Sequence, residues 1–336
     1  MTSPPLPQTA APARRLPALR EAGWVVPLAM MAAGVAVYFA FPDDLAFLTR
    51  VLAMALLVLS LDLVVGYCGV ATLGHAALFG AGAYAAGIAC VNGLTEPVLL
   101  LAVGALAGAA MGALSGAVIV RFSGLPQLVL SIAVVQLLNA AANKASWLTG
   151  GSDGLSGVAP DPVLGVFAFD LWGRTAFLFS LATLVVVHVA LSRIVRSPFG
   201  LLCQGIRQDR VRVRALGAAI YPALVKMYAV SGAVAGIGGA LLAVTTGVVG
   251  LDSVSFERSA EALVMLVLGG AGTLHGALLG ALVFQVFEHV VSAADPFHWM
   301  TLVGLLLIAV VLFVPRGLQG LGAALRGRLG RRDTAP

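Results

Sequence analysis

The stretch "GYCGVATLGHAALFGAGAY", residues 66–84, places five glycines, a threonine and a histidine inside a chain that is otherwise strongly apolar. Glycine weakens a helix, and a titratable ring is costly within a membrane. A segment of this composition is therefore either a closely packed helix or a broken one that serves a purpose. The rest of the chain narrows that choice.

The composition of the chain is that of a membrane protein. Of its 336 residues 60% are hydrophobic and 10% are charged, and the mean hydropathy is +1.00. A soluble domain is about one quarter charged, so lipid must be the main solvent here. Apolar runs of about 20 residues recur, long enough to cross the bilayer as helices and too continuous for barrel strands. The predicted fold class is all-α, a polytopic helical membrane protein.

The apolar runs predict about ten transmembrane segments within a domain at 24–314, after a disordered lead at 1–23 and before a basic tail at 315–336. The segments are 24–41, 45–65, 70–90, 97–120, 125–142, 175–192, 224–247, 259–270, 272–292 and 299–314. Segments 70–90 and 259–270 are short or interrupted by glycine. For these two, a full span and a re-entrant half-helix both stay open.

The basic residues predict the orientation. Of the 20 Lys and Arg residues, three precede the first segment, seven surround the connector at 193–223, and five lie in the tail. Basic residues favour the cytoplasmic side, so both termini are predicted to be cytoplasmic and the loop at 143–174 to face outward. The net charge of +5 is then a topology signal and not a sign of nucleic-acid binding.

Small residues predict close helix packing. Glycines recur every fourth residue in two segments, which stacks them on one helix face where another backbone can approach. They are Gly104, Gly108, Gly112 and Gly116 in the first and Gly272, Gly276 and Gly280 in the second. In addition, "GVATLGHAAL" (69–78) aligns without gaps to "GAGTLHGALL" (270–279). This suggests an internal repeat of the kind found in transporters, although chance similarity between Gly/Ala-rich segments is the alternative.

Polar side chains within the apolar segments are candidates for function. Gln136, Asn139 and Asn143 fall within about 60° on one helix face, where they could bind a small substrate or clamp neighbouring helices. Asp62, like Glu257 and Glu261 near the outer side, is typical of a helix-end partner. His75 is predicted to be structural, bonded to a backbone carbonyl, with a pH-sensing role as the alternative.

No motif for catalysis or nucleotide binding is present. Neither Lys144 nor Lys226 follows a glycine as in a phosphate-binding loop, and the three cysteines and five histidines match no metal or catalytic spacing. The chain is predicted not to be an enzyme and to bind no metal or cofactor. If transport is driven by ATP, another polypeptide must hydrolyse it. A secondary transporter or channel remains the alternative, with Asp62 as its candidate ion-coupling carboxylate.

The connector "LLCQGIRQDRVRVRALG" (201–217) is predicted to be one capped cytoplasmic helix, with Gly217 as its C-cap. A solvated basic loop explains its charge but not such a compact helix, which would suit docking to a cytoplasmic partner. The predicted contact residues are Arg207, Asp209, Arg210, Arg214, Leu216 and Gly217.

Several of these segments together resemble the LivM-type permease family of branched-chain amino acid ABC importers. The resembling segments are the opening stretch, "LTGGSDGLSGV" (148–158), "SPFGLLCQGIRQDRVRVRALG" (197–217), "LGGAGTLHGALLGA" (268–281) and "LFVPRGLQGL" (312–321). They occur in the family's order between about residues 45 and 320. Two departures stand out: Pro126 and Gln127 replace an aromatic and threonine pattern, and Gly205 replaces an alanine.

The resemblance implies an import permease in a bacterial inner membrane. Its partners would be a second, LivH-type permease, two ATPase subunits that hydrolyse the ATP, and a periplasmic binding protein. Urea, short amides and aromatic acids are alternative substrates within the family. The predicted substrate-path residues are Gln136, Asn139, Asn143, His75, Thr72 and Thr273. The signature outer loop comprises Gly150, Gly151, Ser152, Asp153 and Gly154.

Overall fold

The computed structural model describes residues 25–163, 165–170 and 172–294, together with positions 298, 301, 302, 304, 305 and 308. Within these residues the chain is helical, with two isolated β-bridges and no strand. The α-helices are α1 (Val25–Ala40), α2 (Leu45–Asp62), α3 (His75–Val91), α4 (Pro97–Ile119), α5 (Leu125–Lys144), α6 (Ser146–Thr149), α7 (Arg174–Arg196), α8 (Pro198–Gln208), α9 (Arg210–Ala215), α10 (Ile220–Thr246), α11 (Phe256–Gly269) and α12 (Leu274–Ala294).

Six helices in the described part are long and apolar enough to cross a membrane, namely α2 with its extension to Tyr67, α4, α5, α7, α10 and α12. The prediction of about ten spans is therefore not confirmed. The apolar helices at 26–40 and 75–91 are shorter. Helix α11, with 14 residues, extends only about 21 Å, less than the thickness of the hydrocarbon core. The predicted segment 299–314 and the tail lie largely or wholly outside the described residues.

Helix α2 is the central element of the bundle. Every residue from Ala53 to Asp62 is buried, because α7, α10, α11 and α12 surround it. Its last turn, Leu63–Tyr67, widens into a π-helix, and the Val70 N–H then bonds to the Val64 carbonyl at 3.0 Å. Residues 68–74 run without regular helix until α3 begins at His75. The predicted segment 70–90 is thus a helix of 17 residues that follows an irregular turn.

Glycines bring three helices into backbone contact. A methyl group on Gly108 would overlap the Gly232 carbonyl of α10, and one on Gly104 would lie 2.8 Å from the Gly236 carbonyl oxygen. Gly82 of α3 packs against the same Gly236. Gly112 and Gly116 extend the α4 contact along Tyr228. Without side chains between them, α3, α4 and α10 pack as one unit.

Helices α11 and α12 form a second closely packed pair. A methyl group on Gly276 would lie 2.8 Å from the Gly269 carbonyl oxygen, and one on Gly280 would lie 2.7 Å from the Gly269 nitrogen. The prediction that Gly272 shares their helix face is wrong. Gly272 has a φ of +94° and lies in the turn before α12, a conformation that residues other than glycine rarely adopt.

Candidate functional site

The irregular turn at 68–74 and the start of α3 are held by serine side chains from two other helices. Ser131 of α5 accepts a hydrogen bond from the Leu73 N–H at 3.0 Å, and Ser259 of α11 accepts one from the Ala76 N–H at 2.9 Å. Within the turn, Thr72 accepts from the Gly74 N–H at 3.1 Å. Because a buried backbone N–H is costly when unbonded, these hydroxyls allow the turn to lie among apolar helices.

His75 is the first residue of α3 and is fully enclosed. Its Nε2 lies 2.8 Å from the Ser231 hydroxyl, which lies 2.7 Å from the Ser60 carbonyl oxygen. The carbonyl can only accept, so the single Ser231 proton goes to Ser60 and His75 donates from Nε2. His75 therefore binds a backbone carbonyl through a serine and not directly as predicted. The chain of bonds links α3, α10 and α2.

Arg207 joins two glycine turns at the end of the molecule where α8 lies. Its guanidinium donates to the Gly66 carbonyl, and a methyl group on Gly69 would lie 2.8 Å from the Arg207 Cγ. The buried Asp62 carboxylate accepts from the Gly272 N–H at 2.6 Å. The turn that carries the first of the two aligned glycine segments thus meets the second at Asp62 and Arg207.

A small cavity opens beside this junction. It has a volume of about 280 Å³ and is lined by Tyr67, Gln204, Arg207, Gln208 and Gly272. The second Asp62 oxygen has no hydrogen-bond partner among the described residues. A methyl group on Gly66 would overlap the first Asp62 oxygen, so only glycine leaves room for the carboxylate. The junction is therefore a polar contact in which two charged side chains, Arg207 and Asp62, bond to the backbone of the glycine turns.

Comparison with known proteins agrees with this architecture. The family model described as "Branched-chain amino acid transport system / permease component" matches residues 45–312. The chain belongs to this permease family. It is similar to the high-affinity branched-chain amino acid transport permease LivM of Escherichia coli K12, at 28% identity over 82% of this chain and 69% of the relative. LivM of Salmonella typhimurium LT2 is 27% identical over 80% and 68% of the two chains. No solved structure matches the chain significantly.

A second permease is also similar over a shorter region. LivH of Salmonella typhimurium LT2 is 30% identical over 37% of this chain and 40% of its own length. The relatives are permease components and not enzymes, and the described helices are apolar and repeatedly long enough to span a bilayer. This permease is accordingly a multi-pass inner-membrane protein.

The connector of the permease is not the single helix predicted for 201–217. Helix α8 ends at Gln208, Asp209 adopts an extended conformation with φ −158° and ψ 100°, and α9 starts at Arg210. Asp209 accepts hydrogen bonds from Arg212 N–H at 3.0 Å and Val211 N–H at 2.9 Å. It is thus the N-cap of a new helix, and a capping side chain requires this non-helical backbone. These bonds hold the pKa of the Asp209 carboxyl below its usual value.

The end of α9 has the predicted glycine. Gly217 has a φ of +82°, and its N–H bonds to the Arg214 carbonyl at 2.9 Å while the Ala218 N–H bonds to Val213 at 3.3 Å. This pair of bonds is a Schellman motif. Toward the bundle, α8 buries Gly200, Cys203 and Ile206. Away from it, the connector exposes Leu201, Val211, Arg212, Arg214 and Leu216.

The polar stripe of α5 lies on the surface of the chain. Gln136 and Asn143 are exposed, while Asn139 donates to the Leu251 carbonyl at 3.2 Å. The three residues thus share a helix side, but one of them is used in a contact within the chain. Thr273, the last of the predicted path residues, is exposed and donates to the Gly270 carbonyl at 3.1 Å.

The glycine loop at 150–154 connects helix ends on the opposite side from the connector. Gly150, Gly151 and Gly154 all have positive φ, and the following Leu155 pairs with Val249 through hydrogen bonds of 2.8 and 2.9 Å. Ser152 and Asp153 are exposed. The loop therefore ties the end of α5 to the end of α10.

Four site residues were not anticipated from the sequence: Ser60, Ser131, Ser231 and Ser259. All four are buried within helices. The hydroxyls of Ser131, Ser231 and Ser259 bond to the irregular turn, to His75 and to the start of α3, respectively. Ser60 contributes its backbone carbonyl, whereas its hydroxyl donates to Leu57 of its own helix. A serine hydroxyl can also bond to a backbone carbonyl of its own helix, so a serine in an apolar segment does not by itself indicate a contact with another segment. The broken backbone around residue 70 was the available signal, because its N–H groups needed acceptors.

Proposed function

We propose that this chain is the permease subunit of an ATP-binding-cassette importer that carries branched-chain amino acids inward. It would act with a LivH-type permease, two cytoplasmic ATPases that hydrolyse the ATP, and a periplasmic binding protein. The family match over residues 45–312 and the transport function of the LivM relatives support this proposal. This chain supplies the membrane path and no nucleotide site.

The junction at Arg207 is the observation that carries the mechanism. Arg207 belongs to α8, which extends to the exposed apolar and basic surface formed by Leu201, Val211 and Leu216 with the neighbouring arginines. An ATPase bound to this surface would move α8. Because the same helix bonds to Gly66 and lies against Gly272, that movement would reach both glycine turns. Arg210, Arg214 and Leu216 keep the predicted docking role.

Arg207 and Asp209 have different proposed roles from the docking residues. Arg207 contacts the glycine turns and would transmit the movement of α8, whereas Asp209 caps α9 and would set the angle between the two short helices. Gly217 ends the connector in a left-handed conformation. Docking and transmission would therefore depend on different side chains of one segment.

The proposed substrate path runs along α5. Gln136 and Asn143 are exposed on the isolated chain, and polar side chains are unfavourable against lipid. A second permease would cover them, with the path between the two subunits. The side chains of His75 and Thr72 are buried and already form hydrogen bonds within the chain, so their proposed role is to shape the turn beside the path. Thr273 would lie at the cytoplasmic end.

The proposed orientation places both termini and α8–α9 in the cytoplasm and residues 143–174 outside. The basic connector and the alternation of the helices support it. All three cysteines are buried, so single exposed cysteines can be labelled selectively. In intact cells an impermeant maleimide should label Ser152→Cys and spare Arg212→Cys. The reverse pattern would contradict this topology.

Reconstitution tests the function. Proteoliposomes that contain both permeases and the two ATPases should accumulate leucine, isoleucine or valine when ATP and the binding protein are supplied. Urea, a short amide and an aromatic acid serve as competing substrates. Uptake of one of these alone would reassign the substrate. Uptake by this chain without ATPases, driven by an ion gradient, would favour a secondary transporter.

A triple substitution tests the path. Replacing Gln136, Asn139 and Asn143 with alanine should change the transport kinetics while the complex remains assembled. The control uses a different helix: three exposed apolar residues of α4 are replaced with valine, namely Leu106, Ala110 and Leu114. Unchanged kinetics in the triple alanine variant would assign the stripe to helix packing.

A further inference from the structure

A larger polar cavity lies at the opposite end of the molecule from the Arg207 junction. Its volume is about 610 Å³, and α2, α10, α11, α12 and the loop after α10 contribute to its walls. Its charged lining residues are Arg50, Asp252, Arg258 and Glu288. The size falls within the range of small-molecule sites, about 300–1,000 Å³.

One of the two cations in this cavity is already neutralised. The Arg258 guanidinium lies 3.1 Å from the Asp252 carboxylate and 3.1 Å from the Glu261 carboxylate. It therefore serves the chain's own carboxylates and has little capacity left for a ligand. These ion pairs connect the loop at Asp252 to α11, so this side of the cavity is held in place by bonds within the chain.

Arg50 and Glu288 are in a different situation. Neither forms an ion pair in the part of the chain that the structure describes, although both line the same space. Glu288 accepts one hydrogen bond from the Gln285 amide, at 3.3 Å. Arg50 is exposed and Glu288 is half-buried, so both keep hydrogen-bonding capacity at the cavity that a ligand can use.

The remaining walls are apolar or aromatic. Met54 and Leu242 line the inner part, and the Phe47 ring stacks on the His289 ring with 4.2 Å between centroids. The cavity thus combines one positive group, one negative group and an apolar surface. A ligand that complements all three carries an anionic group, an ammonium group and a hydrocarbon portion.

We propose that this cavity binds a zwitterion with a primary ammonium and an oxyacid group. Arg50 binds the oxyacid group. Glu288 and the side-chain oxygen of Gln285 bind the ammonium group, and the hydrocarbon portion lies along Met54 and Leu242. Two molecules share this chemistry: a free α-amino acid and the phosphoethanolamine headgroup of a membrane lipid. Only the amino-acid case rests on the proposed transport function.

The test measures both ligands on the assembled transporter in nanodiscs. Labelled leucine is bound in discs of phosphatidylcholine alone, and phosphatidylethanolamine retained by the complex is counted by native mass spectrometry from mixed discs. Variants Arg50→Gln and Glu288→Gln should each lower the affinity for leucine, or the retention of phosphatidylethanolamine, by tenfold or more. The matched controls are Arg174→Gln and Glu257→Gln, which are exposed and outside the cavity.

A third variant guards against a simple loss of folding. Ser292→Trp adds bulk in the cavity without removing a charge and should also lower binding. Binding of neither molecule by the native complex, or equal binding by the cavity variants and the controls, would overturn the proposal. Uptake assays on the native complex are read separately. A complex that imports no branched-chain amino acid but retains phosphatidylethanolamine through Arg50 and Glu288 would refute the proposed function and support the site.

Discussion

The guanidinium of Arg207 donates a hydrogen bond to the Gly66 carbonyl, 141 residues earlier in the chain. Gly66 lies in the π-helical end of the most buried helix, whereas Arg207 lies on a short helix with an exposed outer face. One bond thus joins the interior of the bundle to the surface proposed for docking. Removing it should separate docking from transport.

Replacing Arg207 with alanine should leave ATPase binding intact and reduce uptake. A hydrogen bond from a charged donor contributes about 1.5–3 kcal/mol, which corresponds to tenfold or more in an equilibrium. We therefore expect at least a tenfold loss of uptake in proteoliposomes. Arg174→Ala is the control, because that exposed arginine begins α7, at the other end of the helix from the connector. Loss of ATPase co-purification in Arg207→Ala alone would show instead that Arg207 is a docking residue.

Asp209 should make the order of α9 depend on pH. Backbone N–H donors lower the pKa of its carboxyl in the folded protein. The charged cap therefore stabilises α9 above the ordinary Asp pKa of about 4, and this contribution is lost as the pH falls through the lowered folded-state value. Hydrogen exchange should show reduced protection of the Val211 and Arg212 amides in Asp209→Ala at neutral pH, and a smaller reduction in Asp209→Asn. Equal protection in all three proteins would contradict the capping role.

Replacing Gly108 with alanine should destabilise the permease. The added methyl would overlap the Gly232 carbonyl of α10, and overpacking of this kind costs about 1–3 kcal/mol. Thermal unfolding in detergent should occur several degrees lower than in the parent protein. Ala110→Val on the exposed side of the same helix provides the control. An unchanged melting temperature for Gly108→Ala would mean that the two helices separate without cost.

Replacing Ser231 with alanine should also destabilise the protein. The substitution leaves the His75 Nε2 proton and the Ser60 carbonyl without this partner, and an unsatisfied buried group costs about 1–3 kcal/mol. Ser180→Ala is the matched control, since that buried hydroxyl bonds only to Ala176 on its own helix. We expect a clear fall in the midpoint of chemical unfolding for Ser231→Ala and a smaller one for the control. Similar midpoints would remove the proposed importance of the His75 network.

The sequence predicted the features that depend on composition and spacing. The all-helical class, most of the long helices and the glycine spacing of α4 follow from apolar length and from a period of four residues. The capping glycine at Gly217 was predictable because few other residues adopt its backbone conformation.

Contacts between distant segments could not be predicted in this way. Nothing in the arginine-rich connector distinguishes Arg207, whose guanidinium reaches the Gly66 carbonyl, from Arg212, whose side chain is 80% exposed. Likewise, the number of spans depends on where glycine-rich turns interrupt a helix, and hydropathy does not detect a π-helical turn or an irregular segment such as 68–74. The internal repeat remains a prediction, although Gly69 and Gly270, the first residues of the two aligned segments, both have positive φ.

The backbone contact between α4 and α10 limits where the molecule can change shape. At Gly108 and Gly232 no side chain lies between the two helices, so their backbones are in direct contact without a side-chain layer that could deform. We expect any change of shape during transport to occur away from this crossing, where side chains or single polar bonds separate the elements, as between α2 and the turn at Gly272. Helices α3, α4 and α10 would then keep their positions relative to one another while the α11–α12 hairpin moves against them.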